Sequence, residues 1–147
     1  MTALDTLTEN GLSLGIELPL DNDLARRDVS GQGLFPDLTR HQERAQLADR
    51  LGFQALWLRD VPMWRPRDFG DAGQIFDPIP YLGYLAASTE RILLGTAGIV
   101  LPLRHPVTLA KEAATVDALS GGRLLLGLAS GDRPGEYPFF GADFDRR

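Results

Sequence analysis

The sequence predicts an α/β fold in which strands alternate with helices in the order β-α-β-α-β-α-β. Three observations predict this fold. Four short, mainly apolar runs are typical of strands buried in a parallel sheet, and three segments of helical periodicity separate them. Connections from helix to strand are very short, whereas two connections from strand to helix are long. Because parallel α/β folds carry their chemistry at the carboxyl ends of the strands, we expect a functional site among these long loops.

The first strand is predicted over Leu12 to Leu20, after a polar leader. The first helix is predicted to begin at Pro36-Asp37 and to end at Gly52, a residue type favoured just after a helix C-terminus. Its apolar positions have helical spacing: Leu38, Ala45, Ala48 and Leu51. His41 lies near the start of this helix, and we expect it to be a surface or packing residue rather than a catalytic one.

The second strand is predicted over Phe53 to Val61 and places an acid, Asp60, at its carboxyl end. A long loop follows, and Asp77-Pro78 predicts the next helix start, with aspartate as the N-cap and proline at the first helical position. The buried face of this helix is predicted to consist of Ile79, Leu82, Ala86 and Thr89.

The stretch from Ile92 to His105 is predicted to be one central strand, buried on both faces. Four small residues, Gly95-Thr96-Ala97-Gly98, interrupt its large apolar side chains. Such a cluster indicates a bulge or a place where a ligand or another backbone comes close. A kink that only relieves packing in the core explains it equally well at this point.

The third helix is predicted to begin at His105-Pro106 and to end at Ser120. His105 is expected to cap the helix, and its position at the carboxyl ends of the strands leaves a role facing a ligand open. A stripe of mainly small residues is predicted to lie against the sheet: Val107, Ala110, Ala113, Ala114 and Asp117. The last strand is predicted over Arg123 to Ser130, again buried. The segment after it has no helical period.

The composition argues against several classes of function. The net charge of −5 argues against a nucleic-acid partner or a basic membrane-surface helix, because both need clustered lysine and arginine. No apolar run is long enough to span a bilayer. The chain has no cysteine, and its polar start does not resemble a signal peptide, so we expect a cytoplasmic protein without disulfides or cysteine-bound zinc.

Two groups of residues suggest chemistry at the carboxyl ends of the strands. In the glycine-rich turn after the last strand, backbone N–H groups with Ser130 and Arg133 could hold an anion such as a phosphate, although a plain turn fits as well. Glu17, Asp60 and Asp132 end three strands and could converge on a divalent cation, as in a metal-dependent barrel lyase. No GxSxG motif supports a serine hydrolase.

Several motifs together resemble the N-terminal half of the bacterial-luciferase-like monooxygenase family, which includes enzymes that use the deazaflavin F420. They are TERI-LGT and LP-RHP around the central strand, the alanine-rich helix, and LSGGR-GLASG followed by FG-DF. The resemblance extends from Leu12 to nearly the end of the chain. It implies that residues 1–147 form the first half of a (β/α)8 TIM barrel, truncated after the fourth strand.

The resemblance also implies a flavin at the carboxyl ends of the strands. The bulge with a non-proline cis peptide that often backs the flavin ring in this family falls at Ala97-Gly98. By the same resemblance Glu17 and Asp60 flank the ring, while Ser130 and Arg133 meet the ribityl or phosphate region. Many relatives have a histidine directly after the acid of strand two, where this chain has Val61.

The function that the resemblance implies is that of a flavin-dependent oxidoreductase, a monooxygenase acting on a small organic substrate. We expect FMN as the cofactor, with F420 as the alternative, and a homo-oligomer. No metal is expected, and the catalytic acid or base stays unassigned. A non-catalytic half-barrel is the alternative from another class, because the outer strands of an isolated half lack partners.

Overall fold

The computed structural model of the chain describes residues 2–8, 12–18, 40–63 and 76–147. In this part of the chain four parallel strands form one sheet in the order β1-β2-β3-β5, and β4 pairs in parallel with β6 in a second, short sheet. The strands are Gly15–Leu18 (β1), Ala55–Leu58 (β2), Leu93–Thr96 (β3), Ile99–Val100 (β4), Leu124–Leu125 (β5) and Leu128–Ala129 (β6). The helices are Ala3–Thr8 (α1), His41–Leu51 (α2), Pro78–Ser88 (α3) and Pro106–Ser120 (α4). The predicted α/β fold with a parallel sheet is confirmed.

The two faces of the sheet differ in what covers them. Leu56 and Leu58 of β2 are fully buried in the main hydrophobic core, together with Leu82 and Leu85 of α3. Side chains alternate along a strand, so Trp57 lies on the opposite face of the sheet. A helix layer therefore covers one face, as expected for strands linked by right-handed crossovers.

Several predicted boundaries shift. The segment predicted to be a polar leader contains α1, and the first strand begins only at Gly15. Pro19, Leu20 and the predicted helix start at Pro36-Asp37 lie outside the described residues. Gly52 ends α2 in the left-handed conformation at φ 80°, as predicted, but Leu51 is 67% exposed, so its predicted place in the buried stripe is wrong.

The start of α3 is confirmed in detail. The Asp77 side chain accepts a hydrogen bond of 3.0 Å from the backbone N–H of Ile79, so Asp77 caps the helix. All four residues of the predicted face are buried: Ile79, Leu82, Ala86 and Thr89. The cap is a local feature, since it needs only the acid and the two residues after it.

The buried face of α4 was predicted wrongly. Among the residues of the predicted stripe only Ala113 is buried, and Val107, Ala110, Ala114 and Asp117 are exposed. The core instead receives Leu109, Ala113, Val116 and Ser120. This row has helical spacing too, and the larger side chains of Leu109 and Val116 bury more apolar area than the alanines do. None of the described helices is long and apolar enough to cross a membrane.

The last predicted strand, Arg123 to Ser130, is neither continuous nor fully buried. It divides into β5 and β6. Leu126, between the two strands, is 40% exposed, and Leu128, in β6, is 53% exposed. In the described part of the chain β5 has a strand neighbour only on its β3 side and β6 only on its β4 side, which explains this exposure. The homo-oligomer and the domain boundary of the sequence analysis stay predictions.

Asp49 fastens the connection that leads into β3. Its carboxylate accepts hydrogen bonds from the backbone N–H groups of Glu90 (2.6 Å), Arg91 (3.2 Å) and Ile92 (3.0 Å). Burial alone would raise the pKa of Asp49, but these N–H groups and the charge of Arg91 outweigh burial and lower it below its usual value of 3.8. The short link between α3 and β3 is thus held by the preceding helix.

We expect Asp49→Asn to destabilise the chain by about 2 kcal/mol at pH 7. The amide has one acceptor oxygen in place of two, and it lacks the negative charge that strengthens these hydrogen bonds. A lowered pKa contributes stability above the unfolded value and loses it as pH falls through the folded value. The difference in the free energy of unfolding between wild type and variant, measured by urea denaturation, should therefore shrink below pH 4. Asp117→Asn, at an exposed site on α4, is the control and should change stability by less than about 0.5 kcal/mol. An equal effect at pH 7 and pH 3 would contradict the prediction.

Candidate functional site

The central strand breaks at the small-residue cluster. The single strand predicted over Ile92 to His105 is wrong, because the chain leaves β3 after Thr96, resumes as β4 and then forms a short 3-10 turn at Leu101–Leu103. Gly98 lies at the break with φ +123°, a conformation that L side chains rarely adopt. The neighbouring strand breaks at the same level, between β5 and β6.

Thr96 fixes the two breaks against each other. Its buried hydroxyl donates a hydrogen bond of 2.8 Å to the carbonyl of Gly127 and accepts one of 2.9 Å from the N–H of the same residue. A Cβ at Gly127 would lie 2.2 Å from the Thr96 carbonyl oxygen. Glycine is therefore required at position 127 for this close approach of two backbones.

The four small residues of the cluster have different roles. A Cβ at Gly95 would lie 2.4 Å from the Cε3 atom of Trp57, so this glycine makes room for the indole ring. Together with the bonding of Thr96, this supports the packing interpretation for the first half of the cluster. Ala97 and Gly98, in contrast, line a cavity, as the ligand interpretation requires.

This cavity, which we name the carboxyl-end cleft, has a volume of about 370 Å³. It opens at the carboxyl ends of β2 and β6, beside the strand break. One part of its lining carries only small side chains or none: Ala97, Gly98, Ala129, Ser130 and Gly131. Another part carries charged side chains: Arg59, Asp60, Asp132, Arg133 and Glu136. Val61 and Val100 complete the lining. Five of the six predicted cofactor-binding residues thus meet in the cleft, namely Asp60, Ala97, Gly98, Ser130 and Arg133.

Glu17 is the predicted residue that does not line the cleft. It lies on β1, its side chain is 49% exposed, and its carboxylate forms a close ion pair with Arg59. Arg59 itself lines the cleft. Glu17 therefore reaches the cleft only through the arginine that it pairs with.

Asp60 lines the cleft, but its carboxylate is bound within the protein. The side chain is 1% exposed and accepts hydrogen bonds from the backbone N–H of Val100 (2.9 Å) and from Arg104 Nη2 (2.7 Å) and Nε (3.2 Å). Arg104 Nη2 also donates to Asp77 at 2.8 Å. Burial alone would lower the pKa of Arg104, but Asp60 and Asp77 outweigh burial and raise it. The guanidinium therefore stays charged and joins the end of β2 to β4 and α3.

The turn after β6 is held by Tyr137. Its buried hydroxyl donates a hydrogen bond to the carbonyl of Ser130, and its ring packs edge-on against Phe144 at 5.1 Å. Gly131 has φ +81°, and a Cβ there would lie 2.7 Å from Val100 Cγ1. The turn is thus fixed against β4, which leaves the Ser130 side chain exposed at the cleft.

Arg133, predicted with Ser130 to meet the ribityl or phosphate region, brings a cation to the cleft. Its guanidinium lies 3.9 Å from Asp132 Oδ1 and 3.9 Å from Glu136 Oε1. Arg104, Glu136 and Tyr137 were not predicted from the sequence. The sequence does offer a signal for Arg104 in the LP-RHP motif, because a cation just before the N-cap of a helix on the active side is a candidate partner for the strand-end acid.

The two histidines lie away from the cleft lining. His41 is buried, and its Nδ1 lies 2.9 Å from the hydroxyl of Tyr81, which confirms its predicted packing role. His105 occupies the N-cap position of α4, but its side chain makes no capping hydrogen bond. The prediction that His105 caps the helix is therefore wrong for its side chain.

The three carboxylates of the metal-dependent alternative do not converge. Glu17 pairs with Arg59, Asp60 with Arg104, and Asp132 lies beside Arg133. Within the described ranges no group of three histidine or acidic side chains could hold a metal ion. The expectation that these acids meet at one cation is therefore contradicted by their separate arginine partners.

Comparison with known proteins gives a consistent result. A family model described as luciferase-like monooxygenase matches residues 15–147. The oxygenase component of the flavin-dependent trigonelline monooxygenase of Acinetobacter baylyi is 39% identical over 97 residues, which are 65% of this chain and 25% of that protein. The F420-dependent glucose-6-phosphate dehydrogenase of Beutenbergia cavernae is 39% identical over 94 residues, 63% of this chain and 27% of that protein.

A solved structure agrees with the fold. The monooxygenase RslO1 from Streptomyces bottropensis superimposes with a TM-score of 0.73 at 27% sequence identity. The match covers 92% of this chain and 38% of that one. The chain therefore spans between a quarter and two fifths of the length of these three proteins.

Proposed function

The chain belongs to the luciferase-like monooxygenase family, and from this premise we propose that it forms the flavin-ring site of an oxidoreductase that monooxygenates a small organic substrate. The observation that carries the proposal is the wall of the cleft at the strand break. Ala97 and Gly98 expose backbone and one methyl group there, and Ala129 adds a second methyl group. A flat ring can lie against such a wall, whereas a large side chain would hold it away.

The remaining lining residues fit the other parts of a flavin. Arg133 supplies a cation and Ser130 a hydroxyl group, which suit a phosphate or a ribityl chain. Asp60 contributes through Val100 and Arg104, by holding the strand break in place. Glu17 contributes to the site by pairing with Arg59, which lines the cleft. The cleft volume of about 370 Å³ is within the range of small-molecule sites.

A bound flavin would supply the hydride or oxygen chemistry, which protein side chains cannot provide. The chain's own residues would bind the ring, orient it and exclude water from one of its faces. Val61 stands where many relatives have a histidine, so a histidine base at that position is not part of the proposal.

We favour FMN over F420 as the cofactor. The family is described as monooxygenase, and the Acinetobacter relative is named flavin-dependent, both of which support FMN. The Beutenbergia relative is named F420-dependent and supports the alternative. The cis peptide at Ala97-Gly98 stays a prediction.

Titration of the chain with FMN tests the proposal, with F420 run in parallel. We expect saturable quenching of FMN fluorescence at micromolar concentrations. Arg133→Ala should weaken binding about tenfold, since a charge-assisted contact contributes about 1.4 kcal/mol. Arg50→Ala removes an exposed arginine on α2 and is the matched control. No response of the wild-type chain to either cofactor would overturn the proposal, and a response to F420 alone would select the alternative.

A further inference from the structure

Glu136 is a buried carboxyl group in the wall of the carboxyl-end cleft, and the proposed flavin contacts leave it unused. The residue is 3% exposed and directly precedes the 3-10 turn Tyr137–Phe140. One carboxyl oxygen accepts a hydrogen bond from the backbone N–H of Met63. The other, Oε1, is buried and has no hydrogen-bond partner among the residues that the structure describes. A carboxyl group that served only to hold Met63 would not need to line a cavity.

The charged groups around Glu136 come from three parts of the chain. Arg133 Nη1 lies 3.9 Å from Oε1, which is too far for a hydrogen bond. Asp132, on the same turn, and Asp60, after β2, add negative charge. Arg59 also lines the cleft, and Arg104 already binds Asp60 and Asp77. Burial raises the pKa of Glu136, and the charge of Arg133 offsets this only in part.

An unpartnered buried oxygen needs an explanation, because nearly all buried polar atoms in proteins are hydrogen-bonded. Leaving one unsatisfied lowers the stability of the folded chain. A molecule seated in the cleft would supply the missing partner. A protonated carboxyl group, in turn, offers that molecule a hydrogen-bond donor.

We propose that Glu136 binds the flavin as a carboxylic acid, with Oε1 donating a hydrogen bond to an acceptor atom of the flavin ring. This inference rests on the proposed function, since it assumes that the cleft holds the ring. It assigns Glu136 to recognition of the ring and leaves the phosphate to Arg133 and Ser130. The consequence is that ring binding weakens when Glu136 ionises, because the donor is lost and a negative charge appears.

The test measures binding of riboflavin and FMN between pH 5.5 and pH 8.5 by fluorescence quenching. Riboflavin has no phosphate, so the ionisation of the FMN phosphate near pH 6 does not affect it. For the wild-type chain we expect riboflavin affinity to fall about tenfold as pH rises. Glu136→Gln keeps a donor but cannot ionise, so its affinity should not change with pH. Glu136→Ala should bind about tenfold more weakly at pH 5.5.

A second measurement needs no cofactor. A carboxyl group whose pKa is raised on folding stabilises the folded chain below the unfolded pKa, and this stability is lost as pH rises through the folded value. The melting temperature of Glu136→Gln, measured relative to wild type, should therefore be higher at pH 8.5 than at pH 5.5. Glu90→Gln makes the same chemical change at an exposed site away from the cleft and should shift neither property.

The outcomes separate the two proposals. If the wild-type chain binds neither flavin, the proposed function fails and this inference with it. If it binds and Glu136→Gln keeps the wild-type pH dependence, only the inference is overturned. A lower melting temperature of Glu136→Gln at pH 8.5 than at pH 5.5, measured against wild type, would assign Glu136 to an ion pair with Arg133 and would also overturn it.

Discussion

Gly98→Val is expected to abolish flavin binding, with at least about a hundredfold loss of FMN affinity. Gly98 adopts φ +123°, which a β-branched residue tolerates poorly, at a cost of about 1 to 3 kcal/mol. Even the first carbon of a side chain would lie 2.8 Å from the Cβ of Ala129, closer than such atoms approach in proteins. Valine would therefore move the strand break and also fill the wall on which we place the flavin ring. FMN fluorescence titration measures the loss.

A graded series keeps this prediction separate from unfolding. Gly98→Ala adds one methyl group and should weaken binding less than valine does, with a smaller loss of melting temperature. Gly83→Ala is the matched control, because Gly83 lies within α3 and a Cβ there would contact nothing within 4 Å. It should leave binding unchanged and stabilise the chain by up to about 1 kcal/mol. If a folded Gly98→Val variant bound FMN with wild-type affinity, the flavin ring could not lie against the strand break, and the prediction would be wrong.

The parts of the fold that could be predicted are those that neighbouring residues determine. The order of strands and helices follows from apolar periodicity, and the cap at Asp77 and the end of α2 at Gly52 each depend on a few adjacent residues. The face of α4 could not be predicted in this way. Two rows of residues on that helix have helical spacing, and only the packing of α4 on α3 selects the row with Leu109 and Val116.

The candidate site also contains features that the sequence predicts and features that only the packing of the chain decides. That Ala97, Gly98 and Ser130 meet follows from topology, since parallel strands bring their carboxyl ends to one edge. That Gly95 makes room for Trp57 could not be predicted, because the indole ring covers a glycine on the neighbouring strand and the sequence does not state the register of the two strands. Glu136 was missed because it lies in a segment without periodicity, where burial depends on the fold around it.

Asp60→Ala is expected to destabilise the chain by about 3 to 5 kcal/mol in urea denaturation, the usual result of removing one partner from a buried ion pair. The substitution removes the acceptor of the Val100 N–H and one of the two carboxylates that Arg104, whose side chain is 17% exposed, binds in the described part of the chain. The control is Glu43→Ala, which breaks a pair with Arg40 whose side chains are 69% and 66% exposed. That change should cost less than about 0.5 kcal/mol.

The Asp60 variants also distinguish two roles for this residue. If Asp60 also touches the flavin ring directly, Asp60→Asn should lower FMN affinity more than Arg104→Ala does. If it acts by holding β4, stability and affinity should fall together. In that case Arg104→Ala should reproduce both losses, although Arg104 is not among the described residues that line the cleft. The hydrogen bonds to Val100 and Arg104 favour the second role, and a variant of Arg104 that binds FMN as wild type does would contradict it.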